Sequence, residues 1–259
     1  MRSSEKKLSK GNKLFARMVF MIVLLVIWEI AARSGRFPDA LFPGLVDISR
    51  SFIDLMANGE LIMKTLYSIG MVFLAMALSL VLAAGMAAIS RVSAYAREFI
   101  VLLQSILSPL PGIAVLPIVI LWLGVTRRAM VLIMVHATLW PLWAQLDLSV
   151  ARLGSRYGRF MESFRLDRWT RFWHIYVQGS ADDLKSALGI SWSRGWRALI
   201  SVEMVFGMVG SRTGLGWLIF ERRMYMDTPG LLAGLVTIAI CGILFESLLF
   251  GGGKANEAY

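Results

Sequence analysis

Residues 65–90 read TLYSIGMVFLAMALSLVLAAGMAAIS, a run of 26 residues without a charged side chain. About 20 apolar residues in an α-helix are enough to cross the hydrocarbon core of a bilayer. Two more charge-free runs follow, 28 residues at 99–126 and 18 residues at 129–146. Three runs of this length predict an all-α polytopic membrane protein.

The composition of the whole chain agrees with that fold class. Hydrophobic residues make up 57% of the chain and charged residues only 17%, whereas soluble domains carry about 25% charged residues. The formal net charge is +10, but the Lys and Arg residues lie at the ends of the apolar runs, as membrane topology predicts. We therefore expect no nucleic-acid partner. Cys241 lies in an apolar run and is interpreted as a packing residue.

The apolar pattern predicts about six transmembrane helices within one transmembrane domain, residues 14–250. The expected spans lie near residues 14–32, 65–89, 99–123, 129–146, 186–206 and 230–250. Polar segments complete the division of the chain: an N-terminal tail at 1–13, a short interfacial helix within 46–63, a long basic loop at 147–185, a loop at 207–227 and a C-terminal tail at 251–259.

Six spans place both termini on the same side of the membrane, and the basic residues indicate which side. With the N-terminus inside, 16 of the 27 Lys and Arg residues lie on the cytoplasmic side and 9 lie outside. The remaining two, Arg194 and Arg197, lie within the fifth span. An excess of Lys and Arg in cytoplasmic segments is the usual pattern. Both termini and the basic loop are therefore predicted to be cytoplasmic.

Three prolines interrupt the third apolar run, Pro109, Pro111 and Pro117. A proline inside a helix removes a backbone hydrogen bond and clashes with the preceding turn, so this span is expected to be kinked or broken. Broken helices occur inside membranes where they line a cavity. The prolines therefore fit either a gate on a translocation pathway or a packing kink between helices.

The fifth span carries charged side chains within the expected membrane region. Arg194 and Arg197 are three residues apart and share a helix face, with Ser201 one turn further. A charge inside the membrane is costly enough to indicate function, and two cations beside a pathway would favour an anionic solute. Alternatively, both arginines extend to the interface or pair with another span. Glu203 lies on another face, where a structural hydrogen bond is the favoured interpretation.

Arginines alternate with aromatic residues from Arg156 to Gly179. A short basic, amphipathic segment of this kind can dock into a groove on a soluble partner. It can also lie on the membrane and bind anionic headgroups. Its position between two spans, in the longest polar segment of the chain, favours docking.

Several motifs of catalytic proteins are absent from the sequence. No G-x-x-x-x-G-K-[ST] phosphate-binding loop occurs, nor does a G-x-S-x-G nucleophile turn. His136 and His174 are the only histidines, and no Cys, His, Asp and Glu residues have the spacing of a metal site. We therefore do not expect an enzyme, nor a cofactor or metal in this chain, and any energy source would be a partner or an ion gradient.

Three sequence blocks resemble motifs of one family of membrane proteins and occur in the same order along the chain. They are Asn58-Gly59-Glu60-Leu61 followed by Leu66-Tyr67-Ser68; Pro109-Leu110-Pro111-Gly112-Ile113-Ala114-Val115-Leu116-Pro117-Ile118 followed by Leu121-Trp122-Leu123-Gly124; and Gly214-Leu215-Gly216-Trp217-Leu218-Ile219 followed by Met226-Asp227-Thr228. The chain resembles the permease subunit of binding-protein-dependent bacterial ABC importers, in the nitrate, sulfonate and taurine branch. This resemblance implies the type I, MetI-like permease architecture.

The cytoplasmic signature of that family, E-A-A-x(3)-G-x(9)-I-x-L-P, is degenerate in this chain. Aligned on Ile175, the signature places Arg159-Phe160-Met161 at E-A-A and Arg165 at the Gly. The family's later R-W…F-W-H letters are similar to Arg168-Trp169 and Phe172-Trp173-His174. The resemblance implies that this segment is a helix that couples the permease to an ATPase. The implied coupling residues are Tyr157, Arg159, Phe160, Met161, Glu162, Ser163, Phe164, Arg165, Leu166, Arg168 and Trp169.

The resemblance also implies a function and a set of partners. We expect a permease subunit of an ATP-driven importer for a small anionic solute (sulfonate, taurine or nitrate), located in the bacterial cytoplasmic membrane. Two ATPase subunits would bind ATP and Mg, an extracytoplasmic protein would deliver the solute, and a second copy of the chain or a paralogue would complete the pathway. The residues expected along the pathway are Pro109, Pro111, Pro117, Arg194, Arg197, Ser201 and Glu203.

Two alternatives from other classes remain open. A channel or secondary transporter would need no ATPase, although the sequence shows neither an inverted repeat nor clear acidic coupling sites within the spans. A membrane scaffold would use the basic loop to bind anionic lipid, and high salt would weaken that binding.

Overall fold

A computed structural model describes residues 10–36, 38, 40–207 and 212–250. Residues 1–9 of the expected N-terminal tail and the expected C-terminal tail, 251–259, lie outside the described residues. The rest of the N-terminal tail, residues 10–13, already belongs to the first helix.

The described residues form helices joined by short connections, with no strand among them. In chain order the helices are α1 (Lys10–Arg33), α2 (Leu45–Ala57), α3 (Glu60–Val92), α4 (Ala94–Leu107), α5 (Gly112–Leu123), α6 (Arg127–Ser163), α7 (Arg168–Thr170), α8 (Ala181–Phe206), α9 (Leu215–Met224) and α10 (Thr228–Phe245). A π-helical turn, Arg171–Val177, follows α7, and another, Glu246–Phe250, follows α10. The all-α membrane fold is confirmed.

Four helices in the described part of the chain are long and apolar enough to cross a membrane: α1 from Phe15 onward, α3, α6 and α10 with the turn after it. The pair α4 and α5 would together supply a fifth span, bent by 103°. Although α8 is 26 residues long, Arg194, Arg197 and Glu203 make it too charged to join this group. The six predicted spans thus correspond to six helical units, five of which are apolar.

The break in the third predicted span lies between α4 and α5. Residues 108–111 separate the two helices, and Pro111 has an extended backbone (ψ 136°) just before α5. Pro109 and Pro111 cannot donate the backbone hydrogen bonds that a continuous helix needs. Pro117, in contrast, lies inside α5. The sequence therefore predicts the broken span correctly, and the break occurs at the first two of its three prolines.

Helices α3, α6 and α8 pack closely at the centre of the molecule through small and polar side chains. The hydroxyl groups of Ser79 on α3 and Thr138 on α6 are 2.6 Å apart. Ser191 on α8 donates to the carbonyl oxygen of Thr138 over 3.1 Å. A Cβ atom at Gly195 would lie only 2.8 Å from the Thr138 methyl group. Small residues allow such close helix contacts inside a membrane.

Two groups of ion pairs lie at opposite ends of α3. At its C-terminal end, Arg91 and Arg97 both contact the carboxylate of Asp147 on α6, over 2.5 Å and 3.1 Å. At its N-terminal end, Lys64 contacts Glu221 on α9 over 3.3 Å. The charged groups thus mark the two ends of the bundle and leave its apolar middle between them.

The segment 147–185, predicted as a loop that contains a coupling helix, has more helix than expected. Helix α6 continues without interruption to Ser163, and α8 begins at Ala181, so most of the segment is helical. A helix of 37 residues is about 55 Å long, well beyond the roughly 30 Å of a bilayer core. The far end of α6 therefore projects from the membrane. Hydropathy alone did not indicate this extension because a helix in water needs no apolar run.

The remaining connections also differ in part from the sequence-based predictions. The segment 207–227 was expected to be a loop but contains α9. The short helix expected within 46–63 is α2, which ends at Ala57, and its last predicted residues already belong to α3. Gly59 stands between these two helices with a left-handed backbone (φ 77°), a conformation that glycine adopts readily.

Candidate functional site

A cavity of 490 Å³ opens where the break between α4 and α5 faces α6 and α8. It is lined by Ser108, Pro109, Leu110, Pro111, Gly112, Ile113, His136, Ala137, Trp140, Arg194, Arg197, Ala198 and Ser201. Five of the seven residues that the sequence placed on a pathway lie together here: Pro109, Pro111, Arg194, Arg197 and Ser201. We refer to this space as the central cavity.

Helix α8 presents two cations to the central cavity. Arg194 and Arg197 are exposed, and both line the cavity. Neither guanidinium has an ion-pair or hydrogen-bonding partner among the described residues. Ser201 follows one turn later and donates its hydroxyl proton to the carbonyl oxygen of Arg197 over 3.0 Å. No Asp or Glu lines the cavity among the described residues. The two positive charges are therefore uncompensated there, which favours an anion.

The rest of the lining is mostly apolar. Leu110, Ile113 and the Trp140 ring supply carbon surface on the side contributed by α5 and α6. Cations beside an apolar wall match a solute that has a charged end and a hydrocarbon body.

His136 holds the break between α4 and α5 against α6. Its Nε2 atom lies 3.2 Å from the Leu110 carbonyl oxygen, and its Nδ1 atom accepts a hydrogen bond from the Trp140 indole N–H over 3.4 Å. Because Nδ1 accepts, the ring proton is on Nε2, which donates to Leu110. In the sequence, His136 stood out only as one of two histidines, neither of them in a metal-site spacing. Its role at the break depends on the fold and has no local sequence signal.

Two of the predicted pathway residues lie outside the central cavity, Pro117 within α5 and Glu203 near the end of α8. Glu203 is buried. Its carboxylate accepts a hydrogen bond from Ser68 on α3 over 2.9 Å and one from the Gly216 backbone N–H over 2.8 Å. The Leu215 N–H donates to Ser68 in turn, over 2.9 Å. Glu203, on α8, thus links the start of α9 to α3 through hydrogen bonds. A structural hydrogen bond was the interpretation favoured for this residue.

A second feature is an exposed aromatic surface on the segment that projects beyond Asp147. The rings of Phe160 and Phe164 contact each other with centroids 4.5 Å apart, and Trp169 stacks on Trp173 at 6.3 Å. Both phenylalanines are largely exposed, with 46% and 67% of their surface accessible. We call Phe160, Phe164, Trp169, Phe172 and Trp173 the aromatic surface.

The turn that carries the aromatic surface is held by side-chain hydrogen bonds. Arg171 donates to the carbonyl oxygens of Leu166 (2.7 Å) and Met161 (3.2 Å), at the end of α6. The Asp167 carboxylate accepts the backbone N–H groups of Trp169 and Thr170, each over 3.0 Å. Hydrogen bonds from Thr170 hold the pKa of Asp167 below its ordinary value. These contacts fix the angle between α6 and the residues that follow.

Arg165 has a left-handed backbone in this turn, with φ 49°. The alignment on Ile175 places this residue at the glycine of the family signature. Glycine adopts that conformation without steric cost, whereas other residues adopt it less readily. The geometry therefore supports the alignment, even though the letter differs.

The predicted coupling residues surround this turn. The end of α6 contributes those up to Ser163, of which Met161 is buried and Tyr157 half-buried. The turn and α7 contribute the others, and Leu166 is half-buried among them. The exposed members are Arg159, Phe160, Glu162, Ser163, Phe164, Arg165, Arg168 and Trp169.

Comparison with known proteins identifies the family. A family model described as "Binding-protein-dependent transport system inner membrane component" matches residues 79–250. A candidate aliphatic sulfonates transport permease protein, SsuC of Bacillus subtilis (strain 168), is 22% identical over 239 residues, covering 88% of this chain and 81% of that protein. The taurine transport system permease protein TauC of Escherichia coli (strain K12) is 25% identical over 138 residues, covering 53% and 49%.

A relative whose name gives a different solute covers a similar share of the chain. The formylaminopyrimidine transport permease protein ThiX of Halalkalibacterium halodurans is 25% identical over 236 residues, covering 87% of this chain and 88% of that protein. The resemblance read from the three motif blocks is confirmed. Since the family model covers more than half of its length, the chain belongs to the family of binding-protein-dependent transport system inner membrane components.

Proposed function

We propose that the chain is the permease subunit of an ATP-driven importer for a small anionic solute and that the central cavity is part of the solute's path. The observation that carries this proposal is the pair Arg194 and Arg197, which face the cavity without a partner in the described part of the chain. Keeping two such charges inside a membrane protein is costly unless they meet water or an anion.

The electrostatic advantage for an anion is considerable in this setting. Two unit charges 4 Å apart attract by about 1 kcal/mol in water and about 4 kcal/mol at an effective dielectric constant of 20. An ammonium group would be repelled, since no carboxylate from the described part of the chain lines the cavity. We therefore infer a preference for a solute with a net negative charge, such as an alkanesulfonate, over a zwitterion such as taurine. The apolar wall would accept the alkyl part.

The names of the relatives alone do not identify the solute of this chain. They include an aliphatic sulfonate permease and a taurine permease, but also a formylaminopyrimidine permease of similar identity. The charge and shape of the cavity favour the first of these solutes.

Coupling to ATP hydrolysis is assigned to the aromatic surface. It lies beyond Asp147, at the projecting end of α6 and on α7 and the turns that follow, and its rings are exposed. An apolar surface on a water-facing helix suits insertion into a groove of a soluble partner. A separate ATPase subunit, which binds ATP and Mg, would occupy this surface. Replacing both Phe160 and Phe164 with Asp should then abolish co-purification of the ATPase.

One chain with about six spans would form only half of a translocation pathway, so a second permease chain is needed to complete it. We propose a dimer, most simply of two identical copies, with two ATPase subunits on the cytoplasmic side and a solute-binding protein outside. The family description already names a binding-protein-dependent system of which this chain is one component. The excess of Lys and Arg on the Asp147 side supports a cytoplasmic location for that side and for both termini.

The experiment that tests the proposal is uptake of a radiolabelled alkanesulfonate into proteoliposomes that contain the permease, its ATPase and its binding protein. Arg194→Gln together with Arg197→Gln should lower uptake by about ten-fold or more, since each lost charge contact is worth about 1–3 kcal/mol. Arg128→Gln, an exposed cation remote from the cavity lining, serves as the matched control.

Two outcomes would oppose the proposal. Unchanged uptake in the double variant would remove the cavity arginines from the path. Uptake by the permease alone, without ATPase or ATP, would instead favour a stand-alone channel or secondary transporter.

A further inference from the structure

A second cavity, of 520 Å³, lies between the projecting part of α6 and the π-helical turn before α8. Its walls carry Arg152, Arg156 and Tyr157 from α6 and His174 from the turn, with Leu153, Ile175 and Gly179 completing the lining. We propose that this basic cavity binds the phosphate group of an anionic ligand, and that the ligand is an anionic phospholipid of the adjacent leaflet.

The chemistry of the walls fits a phosphate. Arg152 and Arg156 are four residues apart on one face of α6, and guanidinium groups donate paired hydrogen bonds to phosphate oxygens. His174, on the opposite wall, offers a ring N–H in either neutral tautomer. The hydroxyl group of Tyr157 adds another donor.

One of the arginines is partly neutralised and the other is not. Arg152 forms an ion pair with Asp183 on α8, which also accepts the Ser149 hydroxyl proton over 2.6 Å. Arg156 has no ion pair among the described residues, and its guanidinium carbon lies 5.4 Å from the centre of the Tyr157 ring. His174 likewise has no polar partner in the described part of the chain. A net positive charge is therefore left for a ligand.

The depth of the cavity favours a lipid as the source of the phosphate. The apolar run of α6 ends at Leu146, and Asp147 pairs with Arg91 and Arg97 at the edge of the bundle. At 1.5 Å per residue, Arg152 and Arg156 lie about 8 Å and about 14 Å beyond Asp147 along the helix. The headgroup layer occupies roughly the first 5–8 Å outside the hydrocarbon core, so Arg152 lies at its outer edge. The Arg156 side chain starts beyond that layer and extends back toward it, because side chains on a helix tilt toward the N-terminus.

The basic cavity is distinct from the aromatic surface. Its α6 residues precede Phe160, so they lie closer to the membrane than the rings assigned to ATPase docking. The inference therefore does not depend on the proposed coupling role. A bound lipid phosphate would bridge α6 and the turn before α8, and would thereby support the segment that carries the aromatic surface.

Native mass spectrometry of the purified chain tests the inference, with phosphatidylglycerol and phosphatidylcholine offered in equal amounts. We expect wild type to retain phosphatidylglycerol preferentially. Arg156→Gln should lower that retention by about five-fold, the effect of one basic residue on anionic lipid binding. Arg159→Gln, which removes an exposed arginine of the same helix outside the cavity, should leave it unchanged. His174→Gln provides an independent variant from the opposite wall.

A parallel experiment distinguishes the two sources of phosphate. Inorganic phosphate is titrated against the chain in phosphatidylcholine nanodiscs while the melting temperature is recorded. Stabilisation by phosphate that is lost in Arg156→Gln would assign the cavity to a soluble phosphate compound rather than a lipid. If neither probe distinguishes Arg156→Gln and His174→Gln from Arg159→Gln, the basic cavity is not a phosphate site and the inference is wrong.

Discussion

The Glu203 carboxylate determines which residues can start α9. A Cβ atom at Gly214 would overlap that carboxylate, and one at Gly216 would lie 2.7 Å from the Glu203 Cβ atom. Gly214 is thus required by a buried acid on another helix, and Gly216 by that acid together with the Ile200 carbonyl oxygen, which its added Cβ atom would overlap. The sequence shows the two glycines and Glu203, but it does not show that they lie next to each other.

Replacing Gly214 with Ala should destabilise the protein by about 1–3 kcal/mol, the usual cost of overpacking a filled site. The melting temperature in detergent measures the effect. Gly70→Ala is the matched control, because a Cβ atom there meets nothing within 4 Å and alanine favours a helix interior. Equal melting temperatures for the two variants would show that the carboxylate moves aside without cost.

The left-handed residue Arg165 gives a second prediction at this scale. Arg165→Gly should preserve or raise the melting temperature, since glycine relieves a backbone cost of about 1 kcal/mol. Arg165→Val should lower it, because a β-branched residue at positive φ is strained. If the glycine variant is as unstable as the valine variant, the turn does not have the conformation seen here.

At the scale of helices, hydropathy predicts the apolar segments that cross the bilayer but not the helices outside it. The apolar runs locate α1, α3 and α10 and the apolar part of α6, and the prolines locate the break after α4. The polar extension of α6 and the whole of α9 were missed. Contacts such as Lys64–Glu221 hold α9, and the hydrogen bond from Arg171 to the Met161 carbonyl oxygen holds the end of the α6 extension. A hydropathy profile contains neither contact.

The continuity of α6 between the membrane and the aromatic surface leads to a third prediction. Ser155 lies exposed in the projecting part, between Asp147 and Phe160. Ser155→Pro should break the helix there at a cost of about 3 kcal/mol and move the aromatic surface. Co-purification of the ATPase should then be lost, while binding of an alkanesulfonate at the distant central cavity persists.

The control is Ser155→Ala, which removes the hydroxyl group and its hydrogen bond to the Arg152 carbonyl oxygen but keeps the helix. Co-purification of the ATPase with the proline variant at the level of the alanine variant would mean that coupling does not require a rigid α6.

For the whole molecule, the sequence predicted the fold class, and it singled out five of the residues that line the central cavity without showing how they come together. Arg194 and Arg197 stood out because charges within an apolar bundle are rare. They line one cavity with Pro109 and Pro111 because α4 and α5 are bent relative to each other, and the sequence alone does not give that bend. Neither His136 nor Trp140 could be placed there in advance, since ordinary polar and aromatic residues in a span fit many packing contacts.

The orientation of the molecule is the last prediction, and it rests on the two groups of ion pairs at the ends of α3. If the Asp147 end is cytoplasmic, Ser163 lies inside the cell and Ser49, exposed on α2 near the other end, lies outside. In a Cys241→Ala background, Ser49→Cys should react with a membrane-impermeant maleimide in intact cells. Ser163→Cys should react only after permeabilisation. The reverse pattern would place the aromatic surface outside, where no ATPase could reach it, and would overturn the proposed coupling together with the orientation.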